Sequence, residues 1–400
     1  MSLLQTITKA ALNSETLTSQ SKYPIVLNSD EILLNLKPSA NDDSNDSYLI
    51  KRVQGWKISN IESEIIELGN KFLKKLKRKA KEFKGKSKNP NSNVQDEFLG
   101  IFNSFLVKNG NIIGVSVELE PSEKRYTCVL VEKLGFLIGE DLAGLILDVC
   151  VNLEIWDLLE TLIVNGVRGH LSSTSWIESL VEKKRSDLLC VCVKHIGEVG
   201  ASNFLTILKY FLSPPKGSED TMSSIRKQWE SQAFLAIEKV TNARVTDQYL
   251  DLAKQASILL MISYDGFSSS ELCMHYLFAS PNVDELILSY SLSRLNGLEM
   301  FKLIQYLGKW LRKYERFPQA IPCVNAASVL GLDACDWVPS LVSIVKSLGL
   351  MFDDHFSSLV LSSEYHEELR SIEGIVKSLS SEARLCCSVT DVVENLVSGI

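Results

Sequence analysis

Three short stretches hold residue types at spacings that could do chemistry. "AKEFKGKS", Ala80 to Ser87, matches the loose A/G-x-x-x-x-G-K-S form of a phosphate-binding loop. Such a loop works by a tight Gly-rich turn and a following helix N-terminus, whose backbone N–H groups face the phosphates. It also needs a buried strand in front. Here helix-periodic residues precede the match and "KNPNSN" follows it, so neither flank fits. Asp353, Asp354 and His355 place carboxylates beside an imidazole, with His366 further along, which is the minimum for general acid–base work. No Gly-x-Ser-x-Gly or His-Glu-x-x-His stretch accompanies them. Cys190, Cys192 and His195, in "DLLCVCVKHIG", are metal-ligand types. On a helix the two cysteines lie about 200° apart, so they cannot chelate together. Cys273-Met274-His275 reads as the interior of a helix, and His170 stands alone. The expectation is a protein that is not an enzyme, with no cofactor, no metal and no small-molecule substrate.

The strongest local signal is charge. "KFLKKLKRKAKEFKGKSK" carries Lys71, Lys74, Lys75, Lys77, Arg78, Lys79, Lys81, Lys84, Lys86 and Lys88 against one acid, Glu82, in a chain of net charge −7. Solubility alone does not need this, because Glu–Lys pairs four residues apart are the usual way to wet a helix face. Two readings stay open: a solvated face alone, or a face that also serves as a nuclear address or phosphate-backbone contact. Clustered cations on a phosphate backbone gain free energy by releasing its counterions.

The elements that position these residues are helices. Ile61, Ile65, Leu68, Phe72, Leu76, Ala80 and Phe83 recur at steps of three and four, one apolar stripe on a helix of about six turns. Gly85, Pro90 and the neighbouring Asn residues end it. The chain is then helical nearly throughout, in segments with short connections: "EDLAGLILDVC", "EIWDLLETLIVNG", "SSTSWIESLVEKK", "SDLLCVCVKHIG" and "SNFLTILKYFL". Ser122 is a candidate start for one helix, and Asn165-Gly166 a stop. "SPPKGSEDTMS" separates a second block, in which Ser268 and Glu271 form a capping box. "LEMFKLIQYLGKWLRKYERF" places Phe301, Ile304, Leu307, Trp310 and Leu311 on one side. No fixed-period repeat occurs, so any repetition is structural.

Composition sets the class. Of 400 residues 45% are hydrophobic and only 10 are Pro, enough apolar material for a large helical core. The nine cysteines lie mostly inside apolar stretches and read as reduced thiols. The first fifteen residues show no secretory signal, and no stretch reaches the roughly 18 clean apolar residues of a membrane span.

"WVPSLVSIVKSLGLMFDDHFSSLVLSSEYHEELRSI", Trp337 to Ile372, resembles the C-terminal region of the eukaryotic nucleolar-protein-eleven family. The family pattern is a Trp opening a helix, an apolar run ending in Asp-Ala-His-Phe, then a Leu-Val-rich stretch and a Pro-Glu-like helix start. This chain has Asp353-Asp354-His355-Phe356 for the first motif and "SSEYHEEL" for the last. "YLGKWLRKYERFP", Tyr306 to Pro318, is similar to the helix that plant family members place before that Trp. The resemblance implies a scaffold of the small-subunit processome, with Trp337, Asp354, His355 and Phe356 as packing residues and no catalytic residues. It also implies nucleolar localisation, other processome subunits as partners, and pre-rRNA contacted through the basic helix. Family members carry an N-terminal β-propeller, for which this chain has no room.

The expected architecture is all-α, an α-solenoid-like stack of helix pairs. Its expected parts are an irregular or β-containing segment over 1–59 (at most the end of a propeller blade), a basic amphipathic helix over 60–88, and helical blocks over 95–213 and 222–400. Trp337, Leu348, Leu350, Phe352 and Phe356 are expected to hold the last helices together. The expected function is scaffolding in ribosome biogenesis, in pre-18S rRNA processing and rDNA transcription, without a membrane. A helical adaptor or coat subunit in membrane trafficking is the alternative, and a hydrolase of unknown type the third.

Overall fold

The computed structural model describes residues 60–86, 92–118, 125–167, 175–197, 199–241 and 247–398, with 120 and 123. The segment over 1–59 expected to be irregular or β-containing, Ser122 as a helix start, and His170 lie outside them. Sixteen α-helices and no strand occur among the described residues, so the fold is all-α. The chain divides into two compact units, Met1–Leu142 and Ala143–Ile400.

The first unit is built on α1 (Asn60–Lys86), α2 (Ser92–Ile113) and α3 (Tyr126–Leu134). The stripe read from sequence is the packing face, since Phe72, Leu76 and Ala80 are buried. Phe72 stacks on Phe105 of α2 with ring centroids 4.5 Å apart. Phe102 and Phe98 continue this aromatic row at 5.9 Å. Ile61, at the exposed start of α1, falls outside the core. Gly110 lets the chain turn back closely after α2: a Cβ there would lie 2.7 Å from the Val115 carbonyl and 3.2 Å from Leu134 of α3.

The second unit holds α4 (Glu140–Asn152, which begins just before it), α5 (Trp156–Val164), α6 (Ser175–Glu182), α7 (Ser186–His195), α8 (Ala201–Leu212), α9 (Glu219–Thr241) and α10 (Asp247–Tyr264). It continues with α11 (Ser269–Ala279), α12 (Glu285–Leu292), α13 (Gly297–Arg316), α14 (Ala326–Leu330), α15 (Leu341–Leu361) and α16 (His366–Ser398). Pairs stack on pairs. Helix α7 packs on α5, α9 and α11, while α8 packs on α6, α11, α12 and α13. Helices α9 and α10 form a long hairpin, and α15 lies against α11, α12 and α13. The segment from Ser213 to Ser218 connects α8 to α9 inside this unit, and α9 begins at Glu219, several residues earlier than its apolar pattern.

Local signals act as expected at several ends. The Ser268 hydroxyl accepts from the Glu271 N–H, and the Glu271 carboxylate accepts from the Ser268 N–H at 2.7 Å. Asn296 and Glu299 form a second capping box at the start of α13. Gly166, at φ +70°, follows the end of α5.

Helix α13 is the hub. Leu303, Ile304, Tyr306, Leu307, Trp310 and Leu311 are all buried, so more of its circumference is covered than one stripe requires. Gly308 allows α16 close: a Cβ there would meet Glu368 Oε1 at 2.7 Å. Asp333–Leu361 is long and apolar enough by composition to cross a membrane, contrary to the expectation from clean apolar runs. Within this stretch, however, Ile344, Ser347, Leu348 and Met351 of α15 form a buried packing face.

Candidate functional site

The outward side of α1 is a concentrated cationic surface. The i, i+4, i+8 spacing of Phe72, Leu76 and Ala80 fixes which side faces α2, and that places Lys71, Lys74, Lys75, Lys77 and Arg78 in solvent. Among the described residues two cations of the stretch have acid partners. Lys71 bonds Glu67 one turn back at 2.7 Å, and Lys79 pairs with Glu97 of α2. Lys74, Lys75, Lys77 and Arg78 have no carboxylate partner among the described residues. Lys81, Lys84 and Lys86 lie on the last turns of the helix, and Lys88 lies outside the described residues. The face can therefore hold phosphates or an acidic peptide by charge. Among its described side chains none is an exposed aromatic for base stacking, because Phe72 is in the core.

The phosphate-loop match does not form a loop. Gly85 and Lys86 are the last residues of a continuous helix, so their N–H groups are not gathered into a cradle.

The carboxylate–imidazole stretch lies at a bend. His355 has φ −119° and ψ 18°, outside helical values, and interrupts α15. Its Nε2 donates to the Leu292 carbonyl at the end of α12, 2.8 Å away. That bond employs the nitrogen in joining two helices. Asp354 is exposed and accepts from Ser289 at 3.4 Å. His366 donates to the Val360 carbonyl at 2.8 Å.

Phe356 corrects the sequence reading. It is 67% exposed and does not hold the terminal helices together. The inward phase of α15 belongs to Ile344, Leu348 and Met351, and Phe356 sits about 120° round the helix from Ile344. Asp354, too, is a surface residue rather than a packing one. Trp337 ends a short 3₁₀ turn rather than opening a helix, since Ser340 caps α15. It is half-buried, 5.8 Å from the ring of Tyr276.

Cys190 and Cys192 are both buried, and His195 is exposed at the end of α7, so the three do not converge. Burial pushes the Cys192 thiol far up. Among the described residues no group of three His, Cys, Asp or Glu side chains could hold a metal ion.

Sequence reasoning missed the polar centre of the second unit. His275 is fully buried between Trp229, Phe267, Tyr306 and Trp310, with ring centroids 4.8–5.7 Å away. Burial holds its pKa down to about 3. Its partners come from Ser263 and Tyr306, twelve and thirty-one residues away, and no local spacing announces them.

No family model, no curated protein and no solved structure matches the chain.

Proposed function

We propose that the protein is a helical scaffold subunit in ribosome biogenesis. On this reading it works in the nucleolus with other processome subunits on pre-18S rRNA. It touches the RNA, and reaches the nucleus, through the basic face of α1.

The observation that carries the reading is that Lys74, Lys75, Lys77 and Arg78 stand exposed, without carboxylate partners among the described residues, on a helix whose opposite side is locked into a core. A row of cations gains from phosphate contact through counterion release, and phosphate contacts position a protein on a nucleic acid without reading its sequence. The all-α stack of helix pairs supports a scaffold, since such stacks present long surfaces to partners. The resemblance of Trp337 to Ile372 to the nucleolar-protein-eleven family supplies the setting.

The test replaces Lys74, Lys75, Lys77 and Arg78 with Gln. The expected result is weaker, less salt-dependent RNA binding and reduced nucleolar accumulation, with unchanged thermal unfolding. A folded variant that binds RNA as wild type and still reaches the nucleolus would overturn the assignment of both roles to α1. A trafficking adaptor would instead show vesicular or cytosolic localisation with the helix intact.

A further inference from the structure

The exposed cations of α1 do not lie in one line; they fan round the helix. At about 100° per residue, Lys71, Lys74 and Arg78 fall within about 60° of one another and form a crest. The crest stands opposite the direction shared by the buried Phe72, Leu76 and Ala80. Lys75 and Lys77 leave the helix on either side of it, about 160° apart, and both are exposed. Lys74 to Arg78 covers about 6 Å of helix axis, so the patch is short along the axis and broad around it. The bond from Lys71 to Glu67 does not withdraw Lys71 from the crest, because both side chains stand in solvent and such a pair contributes little.

We propose that α1 takes double-stranded RNA, lying over the shallow minor groove with Lys75 and Lys77 on the two bordering backbones. This rests on the assignment of α1 as an RNA contact, and it narrows the ligand to a helical stem. The breadth of the patch carries the choice. A helix with its side chains is a cylinder about 10–12 Å across, and Lys75 and Lys77 reach out from opposite flanks of it. One phosphate strand that follows the crest meets the crest and one flank at most. Two strands, one along each side, meet both flanks at once, and a duplex supplies two strands on either side of a groove. In A-form RNA the minor groove is wide and shallow and the major groove deep and narrow, so a convex helix face fits the minor groove. There Lys71, Lys74 and Arg78 face 2′-hydroxyls, which accept hydrogen bonds from ammonium and guanidinium groups. Single-strand sites are instead grooves that track one backbone.

The test measures binding of the full chain to an RNA duplex of about 16 base pairs and to either strand alone, between about 50 and 200 mM salt. The duplex should bind about eightfold more tightly at about 0.1 M salt, the counterion-release gain of one more phosphate contact. Lys75→Gln and Lys77→Gln should each lower the duplex's log–log salt slope by about 0.9. Each should weaken single-strand binding less, because a single strand can move to the flank that remains. Thermal unfolding should stay in place, since both side chains are exposed. Single strands that bind as tightly as the duplex would overturn the proposal and leave the RNA contact standing. A duplex whose affinity and salt slope ignore Lys77→Gln would overturn it too, because that flank would be idle. Failure of both forms to bind would remove the RNA contact itself. Displacement of the duplex by poly-glutamate at equal charge concentration would do the same and give the face to an acidic protein.

Discussion

Tyr306 of α13 donates its hydroxyl hydrogen to His275 Nδ1 of α11 across 2.9 Å. The direction follows from the other ring nitrogen. Nε2 lies 3.0 Å from the Ser263 carbonyl, which can only accept, so Nε2 carries the proton and Nδ1 is the acceptor. One neutral imidazole thereby ties α10, α11 and α13 together in an otherwise aromatic surrounding.

That arrangement makes stability depend on pH. The His275 pKa is about 3 in the fold, below its ordinary 6.5. The unfolded chain therefore takes up a proton as pH falls through 6.5, while the folded chain resists until about 3. Stability present above 6.5 should fall by up to about 1.4 kcal/mol per pH unit between these limits. Denaturant unfolding of wild type and His275→Asn at pH 7, 6 and 5 checks this. The difference between them should shrink as pH falls, because the variant lacks the titrating group.

Phe72→Ala should cost about 3–5 kcal/mol, since the ring is buried against Phe102 and Phe105. Lys75→Gln on the same helix should change stability by less than about 0.5 kcal/mol. Urea unfolding of the two variants separates the packing side of α1 from its charged side.

Along α15 the contrast is equally sharp. Phe356→Ala should shift stability by no more than about 0.5 kcal/mol, because the ring is already in solvent. Ile344→Ala, at a fully buried position, should cost about 2–5 kcal/mol. His355→Ala should cost about 0.5–1.5 kcal/mol by removing its bond to Leu292. Thermal melts of the three variants rank them.

Millimolar ATP or GTP should leave the melting temperature unchanged. A nucleotide bound at Lys86 would raise it by mass action. A shift abolished by Lys86→Ala would show that the end of α1 rearranges into a loop.

The sequence by itself determined the helices, several of their ends and the sides that many of them bury. These are local matters. Phe72, Leu76 and Ala80 share a face because of the 3.6-residue turn, and Ser268 caps because Glu271 is within its reach. The same logic exposed the lysines opposite, so the candidate basic site was legible before any fold. Only the tertiary structure decided what depends on distant partners. It buried His275 by bringing Ser263 and Tyr306 to its two nitrogens. It also turned Phe356 outward, because the buried phase of α15 is set by Ile344, Leu348 and Met351 and bends at His355. The apolar phase of α16 runs on past Leu379 through Cys386 and Val389, with Glu382 the one charge in it, and neighbouring side chains cover it up to Ile375 and leave it in water beyond, which depends on where the other helices end.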